Sequence, residues 1–221
     1  SACGVRCDAV QQFDDCVGKI TAALDKLNLA GNTLLIVTSD NGPVVDDGYA
    51  DGSVEALDGH APAGPLRGGK YSIYEGGTRV PFIARWPKRI KPGVSDALIG
   101  QYDFMASFAA LTGRSLAEDA GPDSINVLPA LLGESRQGRD HLVEHAQGLA
   151  LRQGNWKLVA PTVPAGGGKK QAGKNAVRAP ELYNLAGDVG ETKDLAGQNP
   201  QLVREMLTRL EKIRSSGRSR P

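Results

Sequence analysis

The run Thr33-Leu-Leu-Ile-Val-Thr-Ser-Asp40-Asn41-Gly42-Pro43 sets a carboxylate beside a carboxamide, with two residues between them and a run of four apolar ones. One charged and one neutral oxygen donor is the mixture that hard cations such as Ca²⁺ or Mg²⁺ take. In open α/β sheets, ligands gather just outside the carboxyl ends of strands. Asp-Asn-Gly is equally good turn chemistry, and spacing alone does not choose between the two. A second candidate lies in Pro65-Leu-Arg-Gly-Gly-Lys70-Tyr-Ser-Ile-Tyr-Glu75-Gly-Gly-Thr-Arg79, where Lys70 stands between Gly68–Gly69 and Gly76–Gly77. Glycines let backbone approach a ligand closely. A lysine there can place a point charge on an anionic ester oxygen. A solvated loop lysine is the plain alternative. Arg67, Glu75 and Arg79 read as a local ion-pair set that braces the loop. His60, in Leu57-Asp-Gly-His60-Ala-Pro, is a possible acid, base or ligand, or merely an exposed loop residue. His141 and His145 alternate along a strand-like run and read as structural. Asp46, Asp47, Asp51 and Asp58 read as a solvated loop face, and Trp86 and Trp156 as packing residues.

These side chains need elements to hold them. Val10, Phe13, Val17, Ile20, Leu24 and Leu27 recur at steps of three and four, predicting an amphipathic helix over residues 8–28. Leu34 to Val37 is a short continuous apolar run, suited to a strand buried on both faces of a parallel sheet. Residues 40–77 then lose all periodicity, which in a connector of that length points to disorder or function. Residues 79–87 read as another buried strand, with Pro81 near its entry. Helices are expected over 102–112, stopped at Gly113, and over 126–133. Beyond residue 135 the rhythm changes to four short strand-like runs, HLVEHA, LALRQG, NWKLVAP and ELYNL, as in a small antiparallel sheet. The Gly- and Lys-rich segment 164–180 reads as a mobile excursion. Leu202, Met206, Leu210 and Ile213 mark a last helix, followed by a polar tail read as frayed. The expected organisation is an α/β portion over 1–135 and a small sheet-and-helix subdomain over 136–221. One helix and two or three strands are little for a doubly wound core, so a further N-terminal portion is expected before Ser1.

The 221 residues carry 26 Lys+Arg and 25 Asp+Glu, a net charge of +1, which argues against a nucleic-acid binder held by bulk charge. No apolar run approaches the roughly 18 residues of a membrane span. Cys3, Cys7 and Cys16 show no zinc-type pairing, and the reading is a buried thiol at Cys16 and two incidental ones. No nucleophile elbow, Walker loop, HExxH or dinucleotide fingerprint occurs.

Together the segments resemble the C-terminal half of the type I, formylglycine-dependent sulfatases. The resemblance is carried by DAVQQFDDCVGKI, TLLIVTSDNGP, GPLRGGKYSIYEGGTRVPFIARWP, LALRQGNWKLV and ELYNLAGDVGETKDLA, in that order, across residues 8–210. It implies an alkaline-phosphatase-like α/β fold with a small antiparallel C-terminal subdomain, and hydrolysis of the sulfate ester of a small molecule or carbohydrate with one Ca²⁺. Asp40 and Asn41 match two metal ligands of the family, and Lys70 matches a lysine that contacts the sulfate group. His60 precedes the lysine motif as a histidine does in some members. The family's nucleophile, a formylglycine made in a C/S-x-P-x-R motif, has no match here. Turnover by this chain alone is therefore not expected. Two other readings stay open: a metal-dependent phosphodiesterase or phosphonate hydrolase of the same superfamily, and a non-catalytic binding module.

Overall fold

A computed structural model describes residues 4–161 and 178–220. Helix α1 spans Gly4–Lys26 and ends two residues before Asn28, which takes a left-handed φ of 57°. Strand β1, Leu35–Thr38, follows and pairs with β2, Phe82–Arg85. The pairing is antiparallel, with Leu35 opposite Arg85 and Thr38 opposite Phe82. The sequence pattern suggested parallel neighbours, but among the described residues these two strands form a separate two-stranded sheet. Neither is fully buried, because β2 turns Ile83 to solvent at 63% exposure.

Between them the chain is irregular except for a 3₁₀ turn at Glu55–Leu57 and the single-turn helix α2, Glu75–Thr78. Helices α3, Phe104–Leu111, and α4, Leu128–Leu131, come next. Both stop where expected, at left-handed Gly113 and Gly133. Phe104 stacks on Phe108 and meets Phe82 of β2, so α3 lies against the small sheet.

The remaining strands are β3, His141–His145, β4, Leu149–Gln153, β5, Trp156–Val159, and β6, Glu181–Asn184. They form an antiparallel meander in sequence order, as the alternating runs predict. Helix α5, Pro200–Ser216, lays Val203, Met206 and Leu210 on Leu151, Leu158 and Leu182. The other face of the sheet packs Ala150, Val159, Tyr183 and Leu185 against Ile73 and Tyr74 from the central loop. The sheet thus stands between its own helix and the segment that carries Lys70.

Three sequence expectations need correction. Helix α1 buries no residue, so Cys16 is an exposed free thiol, and Cys7 is disulfide-bonded. The apolar stripe is exposed too, with Val10 at 56%, Phe13 at 55% and Ile20 at 51%. The C-terminal tail is docked, not frayed. Ser219 N–H donates to Asp123 Oδ1 at 2.8 Å, and Arg220 N–H donates to the Pro122 carbonyl at 3.0 Å. Residues 164–177 of the expected excursion, and Cys3, lie outside the described residues. Among those described, no helix is long and apolar enough to cross a membrane.

Candidate functional site

The glycines flanking Lys70 stitch three stretches of backbone together. Gly42 N–H donates to the Gly77 carbonyl at 2.9 Å, Lys70 N–H to Pro43 at 2.8 Å, and Gly76 N–H to Arg67 at 2.8 Å. There is no room for side chains in this packing. A Cβ on Gly42 would sit 1.7 Å from the Gly76 oxygen, and one on Gly76 would sit 2.4 Å from the Gly68 oxygen. The sequence suggests backbone approaching a ligand; the structure shows backbone approaching backbone. The result is that Asp40–Asn41 and Lys70, thirty positions apart, are held against one another's loops.

Asp40, Asn41 and Lys70 line one cavity of about 1210 Å³. It lies between the end of β1, the Lys70 loop, α2 and the edge of β3 and β4, and includes Tyr71, Glu75, Gln101, His145 and Arg152. Asp40 is exposed, whereas Asn41 and Lys70 are half-buried. Asn41 Nδ2 donates to the Gly42 carbonyl at 2.8 Å, which engages its nitrogen and leaves Oδ1 as the donor atom for a cation. His60 is not part of this wall. It sits in the loop after the 3₁₀ turn, half-buried, with its N–H bonded to the Leu57 carbonyl at 2.8 Å. Asp46, Asp47, Asp51 and Asp58 are all exposed. Among the described residues, no three His, Cys, Asp or Glu side chains cluster as a metal site. A calcium ion takes six to eight oxygens, so Asp40 and Asn41 would be a minority of its shell.

A buried charge cluster under the cavity floor is absent from the sequence reading. Lys157 of β5 is fully buried, with Nζ 2.9 Å from Glu75 Oε1, 2.8 Å from Glu144 Oε2 and 3.5 Å from Glu191 Oε1. Glu191 Oε2 also accepts the Glu75 N–H at 2.6 Å, capping α2 from a different part of the chain. Arg152 and Arg79 reach Glu75 Oε2 at 3.3 Å and 3.6 Å. Three carboxylates therefore face one buried ammonium. Burial pushes the Glu144 and Glu191 carboxyls above the ordinary range, against the pull of Lys157. Burial lowers Lys157, but its three acidic neighbours outweigh that and hold the ammonium charged above its usual range.

Of the ion-pair set expected around Lys70, the Glu75–Arg79 contact is present. Arg67 instead stacks 3.6 Å over the Tyr74 ring and donates to Tyr183 Oη at 3.0 Å and the Glu191 carbonyl at 3.1 Å. A lysine inside an apolar strand, Trp-Lys-Leu-Val, was the available signal for the cluster. A buried lysine demands carboxylates, but nothing in the sequence says which ones. His141 is buried and bonds through Nδ1 to Asp140, whereas His145 is exposed on the cavity wall. Trp86 is buried and donates to the Gly31 carbonyl at 3.0 Å, and Trp156 packs against the α5 core, as packing residues should.

The model of the protein family described as "Sulfatase" matches residues 1–114. An N-acetylgalactosamine-6-O-sulfatase of Bacteroides thetaiotaomicron is 46% identical over 97% of the chain and 43% of its own length. Human arylsulfatase A is 30% identical over 93% of the chain and 42% of its own length. Among solved structures, one from a B. thetaiotaomicron locus for metabolism of multiple glycosaminoglycans superposes with a TM-score of 0.86 at 43% identity, covering 96% of this chain and 45% of that one. Ps i-CgsB in complex with k-i-k-neocarrahexaose superposes with a TM-score of 0.67 at 29% identity, covering 90% of this chain and 40% of that one. The chain spans less than half the length of these relatives, and it shares their alkaline-phosphatase-like fold.

Proposed function

Given that this chain belongs to the sulfatase family, we propose that it supplies part of the site of a sulfate-ester hydrolase acting on a sulfated saccharide. The observation that carries the reading is the convergence of Asp40, Asn41 and Lys70 on one cavity through backbone contacts that only glycine permits. Lys70 would meet a sulfate oxygen and hold the negative charge that gathers there as the ester bond breaks. The Asp40 carboxylate and Asn41 carboxamide would be two oxygen donors to a Ca²⁺ ion. Bound there, such an ion would polarise the sulfate group as a Lewis acid. The Lys157 cluster fixes Glu75 and so the loop that presents Lys70. Support for a saccharide substrate comes from the N-acetylgalactosamine-6-O-sulfatase of B. thetaiotaomicron, and N-acetylgalactosamine 6-sulfate is the probe it suggests.

The test is a hybrid in which this chain replaces the matching part of that relative. The hybrid should hydrolyse the 6-sulfate, and Lys70→Ala should lower kcat/KM by about 10²–10³, the usual loss for one charge-stabilising donor. Asp40→Asn should lower both activity and calcium affinity. A hybrid that cleaves phosphate diesters in preference to sulfate esters would move the assignment to the phosphodiesterase branch. A folded hybrid without activity would favour a non-catalytic module.

A further inference from the structure

Five non-glycine residues among those described have left-handed backbones: Asn28, Asp58, Tyr71, Gln147 and Glu191. Asparagine and aspartate accept that region readily, and bulky side chains do not. The three that do not accept it belong to the cavity or to its floor. Tyr71 and Gln147 line it, and Glu191 holds Glu75 beneath it. Strained backbone of this kind gathers where function over-determines geometry.

Tyr71 is the sharpest case. Ser72 N–H donates to the Gly69 carbonyl at 3.0 Å, closing a turn over residues 69–72. Tyr71 takes the third position with φ 71°, where such turns use glycine or asparagine. Packing does not require the ring, since the residue is 60% exposed. Its hydroxyl makes no hydrogen bond among the described residues, unlike those of Tyr74 and Tyr183, which both bond Glu181. What the turn does achieve is to set the ring beside Lys70, with Nζ 5.2 Å from the ring centroid and both facing the cavity. The cavity wall formed by β3, β4 and their flanking turns carries hydrogen-bonding side chains, His145, Gln147, Arg152 and Asn155, beside the apolar Leu142, Val143 and Ala146. A flat apolar face on one side and hydrogen-bonding groups on the other suit a sugar ring, whose faces carry C–H groups and whose rim carries hydroxyls.

We propose that Tyr71 is a positioning residue whose ring stacks on the pyranose that bears the sulfate ester, while Lys70 meets the sulfate itself. The proposal rests on the reading of Lys70 given above, and one titration separates the two. The whole chain is titrated by NMR with N-acetylgalactosamine 6-sulfate and, separately, with inorganic sulfate. The wild-type chain should bind the saccharide more tightly than sulfate. Tyr71→Gly should lose about tenfold in saccharide affinity, bind sulfate as before, and melt no lower than wild type, because glycine relieves the turn. Tyr71→Phe should keep both affinities. Equal saccharide and sulfate affinity in the wild type overturns the role of Tyr71 and leaves that of Lys70. So does a Tyr71→Gly variant that weakens both ligands together, since the ring would then act only by orienting the ammonium. A lower melting point with unchanged affinities makes Tyr71 structural. If the wild type binds neither ligand, or Lys70→Ala binds both as well as wild type, the reading of Lys70 fails and this inference fails with it.

Discussion

Leu151, Leu158 and Leu182 are fully buried beneath Met206 of α5, whereas α1, the longest helix described, buries nothing. Both α1 and α5 carry apolar residues at helical spacing. What separates them is that the sheet meets both its own helix and the Ile73–Tyr74 segment, while α1 touches little beyond the short 3₁₀ turns at residues 30–32 and 55–57. A stripe of apolar residues identifies a face; burial needs a second surface to cover it. Stability in this chain should accordingly be concentrated at the C-terminal sheet and its junction with the Lys70 loop.

Substitutions can break that contrast, and the largest effect is expected at Lys157. Replacing it by methionine takes the buried cation from Glu144 and Glu191, while Glu75 keeps Arg152 and Arg79, and should cost about 3–5 kcal/mol in urea unfolding at neutral pH. The sign with pH follows from the raised carboxyls. Burial raises the Glu144 and Glu191 carboxyls above their unfolded values, so they take up protons more readily folded than unfolded, and the penalty in Lys157→Met should shrink on acidification through the carboxylate range. In the wild type, the stabilisation from the raised Lys157 is fully present below the lysine's unfolded value. It is lost only as pH rises through the higher folded value. An unfolding penalty independent of pH would show that the carboxylates do not depend on Lys157.

Leu158→Ala should cost about 2–5 kcal/mol by leaving a cavity under α5. Gly42→Ala forces a methyl into the Gly76 carbonyl and should cost about 1–3 kcal/mol, with loss of the sulfate-induced shift at Lys70 in the same NMR titration. At the other end of the scale, Phe13→Ser on α1 should change unfolding free energy by no more than about 0.5 kcal/mol. It should also reduce self-association in sedimentation velocity, because it removes exposed apolar area. A large destabilisation by Phe13→Ser would mean that the face is covered in solution.

Much of this was legible in the residues. The four strands of the meander, α3 with its glycine stop and the apolar face of α5 follow from local periodicity. The meeting of Asp40, Asn41 and Lys70 was legible through the family resemblance. Other features depend on long-range partners. The antiparallel pairing of β1 with β2 joins segments more than forty residues apart, and a continuous apolar run carries no direction. The Lys157 cluster draws its carboxylates from α2, β3 and the loop after β6, so only the fold reveals it. Ser219 is a small polar residue in a polar tail, yet it is buried where Arg139 and Asp123 reach it. His60 shares a loop with the site residues without sharing their cavity wall.

The glycine stitch also divides the irregular segment into parts with different freedoms. Residues 42–43, 67–70 and 76–77 are bound to one another through main-chain atoms, so their spacing is set locally. The excursion between them, residues 44–66, leaves and returns at fixed points, and lengthening such a loop costs only weakly with its length. Insertions, deletions and charge changes there should accumulate across descendants of this gene without moving Lys70 relative to Asp40. The excursion is thereby open to evolutionary change, while the backbone that sets Lys70 against Asp40 is constrained.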